Sequence, residues 1–192
     1  ALGLNLLVGH TGLTSFGHGA FFDNKTGSDN TVIGSGAYVG SDNISNSTVI
    51  GKGAGVNGSN EVRLGNSSVT VIGGQVSWTA ASDARIKKNI TNTKYGLSTV
   101  MQLRPVDYNL ISNDLKQVGL IAQEVQKLVP EVVTGKEGDL KKGEILGITY
   151  ANLVPILIKG IQEQQQHIES LQTQLSELKE LVNKIVASQN SK

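Results

Sequence analysis

The segment SDARIKK at 82–88 gathers one hydroxyl, one carboxylate and three cations within a single short stretch. If Ser82 is to act as a nucleophile, a neutral base must take its proton, and no histidine lies nearby in the sequence. Arg85 cannot fill that role, because a guanidinium stays charged at any ordinary pH. Lys87 and Lys88 remain. Spacing does not choose between them: positions five apart face each other neither on a helix nor on a straight strand, so pairing Ser82 with Lys87 requires a turn. A lysine that serves as base near neutrality must have its ammonium destabilised by about 4 kcal/mol relative to an exposed one, through burial or neighbouring cations. Taken alone, the heptapeptide reads better as a Ser-Asp turn or helix N-cap followed by a solvated basic stretch.

Other chemistry is poorly provided for. GKGAGVNG at 51–58 lacks the Gly-Lys-Ser/Thr ending of a phosphate-binding loop. His10 and His18 have no third ligand at metal spacing, so no metal or other cofactor is expected. The sequons at Asn24 and Asn46 are what an Asn/Ser/Thr-rich stretch yields by chance. The absence of cysteine excludes disulfides and thiolate zinc sites. A net charge of +1 with no segment basic enough for the purpose argues against a nucleic-acid partner, and no apolar run reaches the ~18 residues that suggest membrane insertion. The opening ALGLNLLVGHTG lacks a signal-peptide pattern and an initiator methionine, which points to an excised part of a longer chain.

The elements around the heptapeptide fall into three parts. Most of the 23 glycines precede residue 80 and most of the lysines follow it. Before that border a phrase recurs: TVIGSGAYVG at 31–40, TVIGKGAGVN at 48–57, VRLGNSS at 62–68 and VTVIGG at 69–74, with LLVGHTGLT at 6–14 as a degenerate earlier copy. These read as very short strands closed by turns at GSDN, and such strands stay ordered only by stacking on one another or on other copies. The expectation for residues 1–78 is a repetitive β-roll or β-solenoid stalk.

Residues 79–150 read as a small α+β module. A helical pattern on Leu97, Val100, Met101 and Leu103 breaks at Pro105 into the strand-like VDYNL, and a second short helix carries Leu120, Ile121, Val125, Leu128 and Val129 up to Pro130. Residues 151–188 form a long helix, with Asn152 as N-cap and Pro155 in its first turn. Ile161, Ile168, Leu175 and Val182 fall at heptad a positions, and Gln164, Leu171, Leu178 and Ile185 at d. So narrow a seam needs partner helices. Residues 189–192 are expected to form a disordered tail.

In this setting SDARIKKNI, YGLSTVMQLRPVDYNL, GLIAQEVQKLVPEVV and ITYANLVPILIKGIQEQ, in that order, resemble the C-terminal intramolecular chaperone, or auto-peptidase, of phage endosialidase tailspikes, tail fibres and neck appendages. The likeness covers roughly residues 79–180. It implies a homotrimer whose helices form a coiled coil and whose module folds an upstream fibre or spike domain of the same polypeptide, then releases itself by cutting the chain. Carried over by position, Ser82 is the nucleophile, Lys87 the base and Ser82–Asp83 the severed bond, with Asp83, Arg85 and Lys88 as supporting groups. The implied location is a virion tail fibre or spike, the alternative a cell surface, because the repeats also resemble the heads of trimeric adhesins. Two other readings stand beside self-cleavage: a non-cleaving trimeric tip, and an adhesin head that binds a receptor or glycan.

Overall fold

A computed structural model describes residues 11–20, 25–140 and 144–190. The chain divides into two compact units, one of residues 1–81, 109–117 and 136–145 and one of residues 82–108, 118–135 and 146–192.

In the first unit the recurring phrase becomes parallel coils. Strands β1 (Thr14–Phe16), β2 (Thr31–Ile33), β4 (Thr48–Ile50) and β6 (Val62–Leu64) form a parallel sheet in the order β1-β2-β4-β6, and β3 (Tyr38–Val39) pairs with β5 (Gly55–Val56) in a second. Thr14, Thr31 and Thr48 are in register, followed by Val62 after a shorter step. Because side chains alternate along a strand, the central residue of each TVI turns inward, and Val32 and Val49 are fully buried with Val39, Val56, Ala37 and Ala54. The polar rungs also stack: Asn30 is buried, donates from its side-chain amide to the Ile44 carbonyl at 2.7 Å and accepts from the Ser47 amide at 3.0 Å.

The glycine that closes each phrase is required by the stacking. Gly34 has φ 133°, and a Cβ there would lie 2.5 Å from the Gly51 carbonyl oxygen of the next coil. The phrase at 69–74 does not add a strand. The Val69 amide donates back to the Asn66 carbonyl at 3.1 Å, so the chain turns out of the stack, and residues 66–74 are exposed. Of the earlier copy at 6–14, residues 6–10 lie outside the described residues, and the first strand among the described residues is TSF at 14–16.

The second unit is α+β. Helix α1 (Leu97–Val100) leads through Pro105 into β7 (Val106–Asn109), which pairs with β8 (Lys116–Gly119); α2 (Ala122–Leu128) follows, then the antiparallel pair β9 (Val133–Gly135) and β10 (Leu146–Ile148). Helix α3 (Val154–Gln189) has Pro155 in its first turn. Its N-cap is Leu153, not Asn152, because a 3-10 turn at Tyr150–Leu153 precedes it and carries Asn152 inside that turn. Val125, Val129, Val132, Leu153 and Ile156 form the core, so only the first turns of α3 pack on the module. Beyond them Ile161, Ile168, Leu171, Leu175, Leu178, Val182 and Ile185 are all exposed in the single chain. Of the expected tail at 189–192, residues 191 and 192 lie outside the described residues, and α3 ends at Gln189.

Candidate functional site

The turn that the spacing of Ser82 and Lys87 requires is present. Ala84, Arg85 and Ile86 form one 3-10 turn, with Asp83 as N-cap and Lys87 as C-cap. The Ile86 amide donates to the Asp83 carbonyl at 3.2 Å and the Lys87 amide to the Ala84 carbonyl at 3.1 Å. Asp83 shapes this turn through its side chain. Its carboxylate accepts from the Arg85 amide at 2.8 Å, from Arg85 Nε at 3.0 Å and from the terminal guanidinium nitrogen at 2.6 Å. One acidic side chain thus satisfies a free amide of the turn and pairs with a cation two residues on.

With the chain reversed, Lys87 Nζ lies 2.7 Å from Ser82 Oγ. As an ammonium it donates to the hydroxyl; as a neutral amine it accepts from it, which is the arrangement proton abstraction needs. Lys88 makes no hydrogen bond or ion pair among the described residues, although the sequence leaves it level with Lys87. The guanidinium hydrogen bonds from Arg85, followed by the Arg85 amide, hold the Asp83 carboxyl below the usual carboxylate range, and the same pairing pushes the Arg85 guanidinium up. Asp83 therefore stays ionised near neutrality and carries no proton. Its charge is answered by Arg85 and is not directed at Lys87. All residues from 82 to 88 are exposed in the single chain.

Residues 82–134 match the family described as chaperone of endosialidase, with the match beginning at Ser82 itself. The likeness to that family rests on this segment alone. The chain is also similar to the long tail fiber protein Gp37 of Enterobacteria phage M1, with 33% identity over 101 residues, 49% of this chain and 39% of that protein. Its likeness to the long tail fiber protein Gp37 of Enterobacteria phage Ox2 is 32% over 99 residues, 48% of this chain and 39% of that one. The chain thus spans about two fifths of the length of these curated relatives.

Two interactions that steady the matched segment escape sequence reasoning. Glu163 on α3 accepts from the Leu97 amide at 2.7 Å and so caps α1, whose own N-cap is Gly96. The Tyr95 hydroxyl donates to Glu131 at 2.6 Å. These partners lie 66 and 36 residues apart, beyond the reach of any local pattern. No His, Asp and Glu cluster suited to a metal occurs among the described residues, and no described helix is long and apolar enough to cross a membrane.

Proposed function

We propose that this chain is the self-releasing end of a phage fibre or spike: three copies associate, the chaperone module guides folding of the β-rich region upstream, and each Ser82–Asp83 bond is then cut by a Ser82–Lys87 dyad. The observation that carries the reading is the 2.7 Å contact between Lys87 Nζ and Ser82 Oγ at the first residue of the family match. A hydroxyl paired with an amine is the minimum a serine nucleophile needs, and the other nearby cation, Arg85, is engaged with Asp83.

Association into a trimer is supported by two unpartnered apolar surfaces. The heptad seam of α3 is exposed from Ile161 to Ile185, and a helix with a two-residue seam is not stable alone in water. In the upstream coils Phe16, Ile33, Ile50 and Leu64 stand in register on the face opposite the buried valines, with Phe16 and Ile50 exposed. That column supports an oligomeric β-roll stalk. Assembly then encloses the Ser82–Lys87 pair and so couples the cut to correct folding. After release the stalk keeps its shape because unfolding is slow, not because the chaperone remains.

Electrophoresis and intact-mass measurement of freshly expressed protein test the reading. Two fragments with a new N-terminus at Asp83 are expected from the native sequence. Ser82→Ala, Lys87→Ala and Lys87→Arg give intact chains, the last because a guanidinium keeps the positive charge but does not take the proton. The exposure of residues 82–88 favours a second reading, a trimeric tip that uses the same fold without cutting. In that case the native chain stays whole and still trimerises.

A further inference from the structure

We infer that the dyad of one copy cuts the chain of a second copy. This rests on the self-cleavage reading above and follows from the reach of the Ser82 hydroxyl. Ser82 and Lys87 already pair within one chain, so each copy holds a complete hydroxyl–amine unit. The carbonyl carbon of the Ser82–Asp83 bond, however, belongs to Ser82 itself. Attack by Oγ on that carbon closes a ring of only Oγ, Cβ, Cα and C, with angles roughly 20° below the ordinary ~111° at Cα. The energy of such distortion rises about as its square. The carbonyl that the hydroxyl reaches through a five-membered ring is that of Ala81, and attack there breaks the Ala81–Ser82 bond instead. A cut after Ser82 therefore needs a hydroxyl from elsewhere, and the same hydroxyl on a neighbouring copy carries its base with it.

The presentation of the segment suits this exchange. Every residue from 66 to 94 is exposed in the single chain, so the severed bond and the dyad are both open to another copy. Asp83, just beyond the bond, is extended at φ −66° and ψ 136°.

In the first step Ser82 Oγ of one copy gives its proton to Lys87 of that copy and bonds to the Ser82 carbonyl carbon of the second. The C–N bond to the second copy's Asp83 breaks, and the departing amine takes the proton from Lys87. An ester now joins the hydroxyl of the first copy to the carboxyl of the second. Water hydrolyses it, restoring the hydroxyl and leaving a free carboxylate.

Mixed assemblies test the inference. N-terminally tagged Ser82→Ala chains, and separately tagged Lys87→Ala chains, are co-expressed with untagged native chains; co-purification through the tag confirms that they assemble together. The expected result is that both tagged variants stay intact when expressed alone and are shortened at Asp83 in mixed assemblies. Tagged variants that remain whole beside native chains that are cut would overturn it. So would a new N-terminus at Ser82 in the native protein, which marks attack within the chain on Ala81. Native chains that stay uncut in homogeneous assemblies remove the self-cleavage reading itself, and this inference with it.

Discussion

Because the Asp83 carboxylate takes hydrogen bonds from both the amide and the guanidinium of Arg85, the shape of the turn and the chemistry at its ends belong to different residues. Asp83→Ala removes the cap but leaves hydroxyl and amine in place, so cutting is expected to slow several-fold without stopping. Ser82→Ala stops it. A time course of fragment formation separates the two outcomes, and equal loss in both variants would show that Asp83 takes part in the reaction. Much of this was legible in the residues: the need for a turn follows from a five-residue spacing, and Asp at a turn start is a common cap. The preference for Lys87 over Lys88 was not, since it depends on how far one 3-10 turn rotates the chain.

At the scale of elements, long-range contacts do what local sequence does not. Helix α1 has only four residues and a glycine N-cap, and its first amide is satisfied by Glu163 from α3. The Leu97 amide holds the Glu163 carboxyl below its ordinary value, and the Tyr95 hydroxyl does the same for Glu131. Folded-state values below the unfolded ones mean that this stability is complete above the ordinary carboxylate range and is lost as pH falls through the folded values. Thermal unfolding across acid pH is expected to show that loss, with Glu163→Gln less stable near neutrality and less sensitive to acid. Leu153, buried where α3 leaves the core, predicts about 2–4 kcal/mol of destabilisation for Leu153→Ala, read by denaturant unfolding.

The α1–Pro105–β7 order was legible because periodicity and proline are local signals, whereas the Glu163 cap joins residues 66 apart. The repeats were legible wherever an inward valine and a closing glycine recur. The phrase at 69–74 misleads because the turn at Asn66 has already taken the chain out of the stack. Gly34→Ala introduces a Cβ against the Gly51 carbonyl at a backbone angle that disfavours side chains, and the stacked coils are expected to lose protection from hydrogen exchange.

For the whole molecule, the α3 seam and the outer column of the coils are apolar surfaces that one chain leaves in water. The heptad pattern announced the first; the second follows only from the strand register. Leu171→Asp combined with Leu178→Asp places charges in the seam and is expected to give a monomer by sedimentation. Both residues are exposed in the single chain, 63% and 56%, so the module's own core is untouched. The measurement that bears most directly on the account is the rate at which this monomeric variant cuts itself, compared with the native assembly at equal chain concentration. The account predicts intact monomers beside native chains that end at Ser82; monomers that cut as fast as the assembly would contradict it.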